Sequence, residues 1–530
     1  MVQECDVLIV GAGPVGLMLA LLLRKQGIQC RIIDKMIERQ GYCKALGIQP
    51  RTLEVWDDIG MLNPVINEGL CFKETRIFQD GKEVHSSLIE LPELPFGFLS
   101  IPQFKLEDIL VNEVQELGLV VEQGIELISF EQTDNEIVAV LKNNKTEALD
   151  KIHLKYLVGC DGAHSQTRKL LDLKFDGGKL PQYFMLADVR VNWVYAHQVN
   201  YRFGYNHDGI ENTVVFVPYR GDRRFRISTS VPESMLAEIK DGKPTLEQFS
   251  SVIEMAVPVK VKIDDLRWSS MYQISHRIVN QYALGRIFLA GDSAHIHPPV
   301  GGQGMNTGLQ DVYNLAWKLA LVLKNRAKVQ LLDTYNEERY PVGLDVVNRT
   351  HKQMLAKNSA VSDEHYALLV NSQTLINYQE SSLSKGQSLS LDSCKPGDRA
   401  PDVSMLKRDI FNFPVRLFEI LRGHKFKLLM YTDLSMEKQP LDDFLDAGQK
   451  LQNHFSFLLE TYLIGSPEFQ LSENSTLTLL SDLDNNFKST YKIKPGSACL
   501  IRPDNYIAYR CEVLNEQDLI NYLQEVGMVI

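Results

Sequence analysis

Three glycines, Gly11, Gly13 and Gly16, follow the apolar run Cys5-Asp6-Val7-Leu8-Ile9-Val10 and precede Leu17 to Lys25, which reads as a helix. A second strand-like run, Ile28 to Ile33, ends at Asp34, 18 positions past Gly16. In this strand–turn–helix–strand setting each glycine has a task. Gly11 permits a tight turn, Gly13 lets main chain approach a pyrophosphate, and Gly16 lets helix and strand pack closely. The free N–H groups at the helix N-terminus then face anionic oxygens, and Asp34 is placed to accept hydrogen bonds from a ribose. The chemistry is dinucleotide binding, with NAD and FAD both open at this point.

Two further loops carry the same kind of signal. Tyr156-Leu157-Val158-Gly159-Cys160-Asp161-Gly162 is a strand ending in a Gly-containing turn, with Ser165 as a helix N-cap ahead of Arg168. Arg286 to Ala290 is another strand, ending in Gly291-Asp292 and leading into Pro298-Pro299-Val300-Gly301-Gly302-Gln303-Gly304-Met305-Asn306-Thr307-Gly308 and a long helix from about Leu309 to Leu323. A glycine-dense loop feeding a helix N-terminus again offers clustered N–H donors. Asp292, at the carboxyl end of a strand, is placed like the ribose-binding acid of a nucleotide site.

The elements that must position these loops are spread over 530 residues, enough for roughly three or four domain-sized units. Helices are predicted over about 50–60, 105–117, 441–458 and 516–526, from apolar spacing such as Leu106, Ile109, Leu110, Val114 and Leu117. Residues 73–100 alternate apolar and polar. The block 183–231 holds several short strands rich in aromatics and arginines, including Tyr201, Arg202, Phe203, Tyr205, Tyr219 and Arg226, and reads as a sheet with one face over a ligand. For most of these side chains, packing within the sheet is the expectation. Ser381 to Ser393 carries six serines in 13 residues and reads as a linker, after which Pro396 opens a separate α/β unit with a hairpin around Pro503-Asp504-Asn505.

Composition excludes several classes. The net charge of −11 argues against nucleic acid as the main partner. Glycines and a proline interrupt the one stretch, 7–23, that could pass for a membrane span, and the first residues lack the positive region of a signal peptide, so a cytoplasmic location is expected. The eight cysteines form no CxxC and read as free thiols. His295-Ile296-His297 lacks a third ligand nearby, so no metal is assigned.

Taken together, Gly11 to Gly16, Cys160-Asp161-Gly162 and Gly291-Asp292, in this order and spacing, resemble the single-component FAD-dependent aromatic hydroxylases, closest to the phenol hydroxylase and pentachlorophenol monooxygenase branch. The resemblance implies an α/β chain: a Rossmann-like FAD-binding domain with an inserted β-sheet substrate domain and a C-terminal thioredoxin-like domain. Its implied boundaries are 1–72, 101–180 and 284–380 for the FAD-binding parts, 73–100 and 181–283 for the substrate sheet, 381–395 for the linker and 396–530 for the last domain.

The same resemblance implies that FAD is held by Gly11, Gly13, Pro14, Gly16, Asp34, Lys35, Lys44, Gln103, Asp161, Gly162, Arg168, Gly291, Asp292, Pro299, Gly301, Gly302, Gln303, Gly304, Met305 and Asn306. It implies reduction by NADH or NADPH as a transient co-substrate and reaction with O₂. A flavin C4a-hydroperoxide would then deliver one hydroxyl to a phenolic or polycyclic aromatic substrate, with water excluded. Arg226, Tyr205 and Tyr219 are substrate-side candidates for assisting deprotonation of a phenol. A homodimer belongs to the same expectation. Lys44 stands where relatives usually have arginine, and Asp34 where glutamate is more usual. Other readings are a flavin-dependent halogenase, whose WxWxIP motif is absent, an isoprenoid reductase, or a non-catalytic flavin-carrying interaction protein.

Overall fold

The structure is a computed structural model describing residues 4–39, 41, 45–207, 209–355, 363–386, 393–408, 410–472 and 475–529. Lys44, one of the expected phosphate contacts, lies outside the described residues. Three large sheets organise the rest.

The first sheet has a parallel centre. β1 (Glu4–Val10) lies between β2 (Cys30–Asp34) and the second half of a strand at Leu149–Gly159, parallel to both. Its Val7, Leu8 and Ile9 are wholly buried, as a strand covered on both faces requires. Helix α1 (Pro14–Lys25) covers one face, its Leu17 to Leu23 run almost completely buried, while α2 (Pro50–Asp58) and α3 (Gln103–Glu116) start under prolines that fix the entry angle without needing an N–H donor.

The second sheet is mostly antiparallel. Its strands are β3 (Glu74–Gln79), β4 (Lys82–Leu88), and, after β5 (Ile125–Gln132), β6 (Ile137–Asn143) and β7 (Leu149–Gly159) of the first sheet, β8 (Phe175–Asn192), β9 (Val199–His207), β10 (Ile210–Pro218), β11 (Arg224–Ser230) and β12 (Lys262–Val279). They lie in the order β12-β8-β11-β10-β9-β3-β4. Of the expected block 73–100, Glu74–Leu88 therefore completes the sheet built by 175–279, while Leu99–Ser100 pairs instead with Gly47–Ile48 and Leu70–Cys71 in a small sheet of its own. One face, with Tyr201, Phe203, Phe216, Phe225 and Ile227, is sealed by α5 (Leu246–Ala256) through Phe249, Val252 and Ile253; the short α4 (Gln166–Leu170) precedes it in the chain.

The opposite face is turned toward the first sheet. Along β12 the even-numbered side chains share one side from Trp268 to Ile278. Ile278 enters the hydrophobic core of the first sheet, and His276 stacks on His351, ring centroids 3.8 Å apart. His351 belongs to α7 (Asp333–Leu355), which follows α6 (Gly304–Leu323) and the last central strand, β13 (Ile287–Leu289). Helix α6 begins five residues earlier than its apolar pattern predicts, because the glycine loop itself turns into the helix.

The third sheet belongs to the C-terminal part. β14 (Phe426–Thr432), β15 (Leu459–Gly465) and β16 (Thr478–Asp482) are parallel, and the hairpin β17 (Ala498–Ile501) and β18 (Ile507–Cys511) runs antiparallel beside β14. Helices α8 (Lys438–His454) and α9 (Glu516–Glu525) pack on it. The unit is bound to the first sheet's helices by buried charge. Arg502 makes a bidentate contact with Glu338, which also accepts from Lys318 Nζ at 2.7 Å, and Arg399 and Arg416 reach Glu54 and Asp57. The described part of the serine-rich stretch is packed and tethered. Ser381 Oγ donates to Glu338 at 2.7 Å, Leu383 is buried, and Lys385–Gly386 pairs with β18.

Candidate functional site

Three strand ends bring the three motifs together at the carboxyl edge of the parallel strands. Gly11 N–H donates to Ile33 O at 2.8 Å, Cys160 N–H to Val10 O at 2.7 Å, and Ala290 N–H to Gly159 O at 3.0 Å. The Gly11 turn, the Asp161 turn and the Gly291 turn thus lie side by side where open α/β sheets bind ligands.

The glycines divide by what surrounds them. A Cβ on Gly11 would lie 2.4 Å from Cys160 O, and one on Gly16 would lie 2.0 Å from Gly11 O, so both positions are closed to any side chain. A Cβ on Gly13 would meet nothing within 4 Å. That open space lies at the start of α1, which has no side-chain cap and no acidic residue in its first turn. Asp34 is aimed into the same turn: Oδ2 accepts from Ala12 N–H and Oδ1 from Met36 N–H, each at 2.9 Å. The main-chain carbonyl of the neighbouring Lys35 accepts from Asn144 Nδ2 at 3.0 Å.

A second uncapped N-terminus belongs to α6, again without an acidic first turn. Gly301 and Gly302 ahead of it have φ of 70° and 64°, a left-handed conformation that glycine adopts without strain, and both are exposed along with Pro299. The loop is braced from behind. Gln49 Nε2 donates to Gly301 O at 2.5 Å, Asn306 Nδ2 to Gly47 O at 2.9 Å and Gly302 O at 2.8 Å, and Gln303 Nε2 to Asn371 O at 3.0 Å. Met305 is half-buried beside Gly304, whose Cβ would come within 3.3 Å of His297 Nε2. Burial pushes the His297 imidazole down to about 4, so it is neutral at pH 7. Gln103, at the start of α3, accepts from Ala45 N–H at 3.1 Å and donates to Glu107 at 2.8 Å.

The Asp161 and Gly291 turns are locked to each other. Asp161 Oδ2 accepts from Thr167 N–H at 2.9 Å, Gly162 sits at φ 74°, and Arg168 donates to Ser293 O and Ala163 O, both at 2.9 Å, with its guanidinium 3.9 Å from the Phe175 ring centre. Arg168 is thus a buried strut between two motifs. Asp292 lies exposed beside it.

Asp311, which no sequence motif singled out, is the hub beneath this edge. Its Oδ2 accepts from Gly291 N–H at 3.0 Å and lies 2.8 Å from His295 Nε2, and its Oδ1 accepts from Arg339 Nε at 2.8 Å. Burial alone would raise this carboxyl; Arg339 and His295 reverse that and hold it below the usual carboxylate range. The available signal was a charged residue in a largely apolar helix whose one other charge is Lys318. The pair His295 and His297 is accounted for here, one ring held by Asp311 and the other by Pro298 O at 2.9 Å.

Of the substrate-side candidates, Arg226 is already paired, Tyr205 is turned to the covered face, and Tyr219 keeps a buried hydroxyl without a hydrogen-bond partner. Tyr205 lies on the α5 side of the second sheet, buried in its core, so it cannot face a ligand on the other side. Arg226 is on the correct face but is held by Asp188, Nε to Oδ1 at 2.8 Å and Nη2 to Oδ2 at 2.9 Å, directly across the β8–β11 pairing. Tyr219 is buried beside them, and burial pushes its phenol above the ordinary range.

Comparison with known proteins matches residues 4–350 to the family described as the FAD binding domain. A flavin-dependent monooxygenase of Mycobacteroides abscessus is 33% identical over 80% of this chain and 88% of its own length. The 6-methylpretetramide 4-monooxygenase of Streptomyces rimosus is 28% identical over 99% of this chain and 94% of its own. Among solved structures, the flavin-dependent monooxygenase PieE, in complex with FAD and substrate, superposes with a TM-score of 0.82 at 22% identity over 99% of both chains, which establishes the shared fold. The chain belongs to the family of FAD-dependent aromatic monooxygenases that carries this FAD-binding domain.

Proposed function

We propose that this protein uses NADH or NADPH and O₂ to hydroxylate a phenolic or polycyclic aromatic compound, with FAD as the resident cofactor. The observation that carries the reading is the pair of uncapped helix N-termini, α1 and α6, opening at the same sheet edge beside the inward face of the second sheet. Each favours negative charge, by about 0.3–1 kcal/mol when exposed and more when buried. On this reading the ADP part lies over Gly13 with Asp34 on its ribose and Lys35 nearby. Asp161, Gly162, Gly291 and Asp292 flank the chain between the two ends of the cofactor, behind the Arg168 strut.

The loop from Pro299 to Asn306 would offer its N–H groups to the part of the ring system that becomes negative on reduction, and Gln103 would help to hold it. FAD supplies, when bound, two-electron acceptance from the nicotinamide and activation of O₂. The chain's own work is to bind, to orient the ring over the second sheet and to exclude water through the walls of that cleft.

The remaining expectations belong to the same proposal. Residues 1–72, 101–180 and 284–380 form the FAD-binding domain and 73–100 with 181–283 the substrate sheet. The C-terminal unit from 396 is thioredoxin-like: in support, its order β18-β17-β14-β15 combines two parallel strands with an antiparallel hairpin. The described cysteines there are unpaired thiols pushed up by burial, Cys499 to about 12, which supports a packing role and a reducing, cytoplasmic setting. Among the described residues no helix is long and apolar enough to cross a membrane. A homodimer is expected.

The test is a visible spectrum of the purified protein, followed by NADH and NADPH oxidation with a panel of phenols and polycyclic aromatics while hydrogen peroxide is measured. Ligand-accelerated oxidation, little peroxide and a product heavier by one oxygen are the expected result. Absence of flavin after reconstitution with FAD overturns it.

A further inference from the structure

Arg399, near the start of the C-terminal unit, reaches back across the seam to two separate elements. Its Nη1 lies 3.0 Å from Glu54 Oε1 on α2, and its Nε donates to Thr374 O at 3.3 Å, just past the helix Glu364–Ser372. The arginine side chain is largely buried and Glu54 wholly so. What the two anchor points share is the loop that each of them supports.

α2 begins after Gln49, which occupies the N-cap position yet makes no cap with its side chain. Its Nε2 donates instead to Gly301 O at 2.5 Å, and its N–H donates to Asn306 Oδ1 at 2.9 Å. Every residue from Pro50 to Asp57 is buried, and Glu54 stands five residues from Gln49, about 7.5 Å along a helix axis. So short and enclosed a helix moves as a rod, and holding Glu54 holds Gln49. On the other side, Asn371 O accepts from Gln303 Nε2 at 3.0 Å, and Gln373 Nε2 donates to Thr307 Oγ1 at 3.0 Å. Thr374 follows directly. One guanidinium thus ties down both supports of the loop 299–306. Two amides record the order of that loop: Gly302 N–H on Pro299 O at 3.1 Å and Thr307 N–H on Gln303 O at 2.9 Å.

We propose that Arg399 is a positioning residue for the glycine loop, so that docking of the C-terminal unit sets how well the loop's N–H groups meet the cofactor. The part that concerns the cofactor rests on the reading that the FAD ring system lies against this loop. Neutralising buried acid at the seam would not need this residue alone, since Arg416 and Arg422 reach Asp57 on the same helix. Arg399 is set apart by joining two elements that converge on one loop.

The test compares Arg399→Met and Arg399→Lys with Arg326→Met. The last breaks another contact across the seam, Arg326 Nη1 to Phe457 O at 2.8 Å, at the far end of α6 from the loop. Glu54 keeps Arg51 at 2.9 Å in every variant, so the chains are expected to fold. Hydrogen–deuterium exchange over residues 299–309 is measured on the full chain with and without FAD, and the reduction potential of bound FAD by equilibration with a redox dye. Arg399→Met is expected to speed exchange there about two- to tenfold. It should also weaken binding of reduced relative to oxidised FAD about two- to fivefold, read as a more negative potential. Arg399→Lys keeps the charge without the fork, falls between Arg399→Met and wild type, and carries the test alone should the Met variant not fold. Arg326→Met leaves both readings at the wild-type value. Because Gln49 transmits part of the effect, Gln49→Met combined with Arg399→Met shifts the exchange by less than the sum of the single changes.

Wild-type exchange in the Arg399 variants, equal loosening of the loop by Arg326→Met, or simple additivity with Gln49→Met overturns the proposal. Faster exchange with an unchanged potential leaves Arg399 standing as the positioning residue and defeats the placement of the FAD ring system at this loop.

Discussion

Asp311 Oδ2 lies 2.8 Å from His295 Nε2 while the other oxygen of the same carboxylate binds Arg339, and all three side chains are withdrawn from solvent. Through Gly291 N–H the carboxylate also fixes the turn that carries Asp292. Removing it leaves Arg339 buried without its anion. Asp311→Ala is expected to destabilise the protein by about 3–5 kcal/mol, read by chemical denaturation. Because the folded pKa lies below that of the unfolded chain, the stabilisation is present above the ordinary carboxylate range and fades as pH falls through the folded value. The wild type therefore loses this share of its stability in acid, and an Asp311→Asn variant lacks that part of the acid dependence.

Gly13 and Gly16 separate folding from cofactor binding. Gly16→Ala places a methyl against Gly11 O and is expected to unfold or strongly destabilise the chain. Gly13→Ala meets only open space within the protein, so the apoprotein should melt at the wild-type temperature while flavin occupancy after purification falls. Equal flavin content in Gly13→Ala and wild type would place the pyrophosphate elsewhere.

Asp58 accepts from Tyr313 Oη at 2.7 Å, and burial raises its carboxyl to about 7. A folded pKa above the unfolded one means that the contribution is full below about pH 4 and is lost as pH rises through 7. Asp58→Asn, which cannot ionise, is expected to leave the melting temperature little changed at pH 5 and to raise it by a few degrees at pH 8. A thermal scan across that range decides it.

The Asp188–Arg226 pair gives a test of coupling. Arg226→Met leaves a buried carboxylate unpaired and is expected to cost about 3–5 kcal/mol of stability. Adding Asp188→Leu removes the stranded charge and should recover most of it. A double-mutant cycle in urea measures both, and simple additivity of the two single changes would contradict the pairing.

The three motifs and their order were legible in the sequence because each couples an apolar strand to glycine-rich backbone geometry that few other folds need; their meeting at one sheet edge depends on long-range strand pairing that no local pattern records. Helix α5 carries a legible signal of a different kind, the capping box that Thr245 and Gln248 form at the start of Leu246 to Ala256. β12 was hidden for a physical reason. Its stretch from Trp268 to Gln273 is half-buried on both faces, so neither period of hydrophobicity dominates. Tyr205 was misplaced because an aromatic in an alternating strand has even odds of facing either side until the covering helix is known. Asp311 and Arg339 act across 28 positions of sequence, a distance at which no local pattern links an acid to its base.

β1 acquires its two neighbours at very different times. Residues 30–34 emerge from the ribosome soon after it, but its other partner, β7, ends at Gly159, and β13, which completes that edge, ends at Leu289. During synthesis the Gly11 amide finds Ile33 O early, whereas the Cys160 and Ala290 turns that complete the edge beside it arrive only much later in the chain. Such long-range closure makes folding slow and leaves apolar strands uncovered meanwhile. An N-terminal fragment ending before Leu289 is consequently an aggregation hazard rather than a miniature flavoprotein, and a cut ahead of the C-terminal unit would in turn leave Glu338 and Lys318 buried without Arg502.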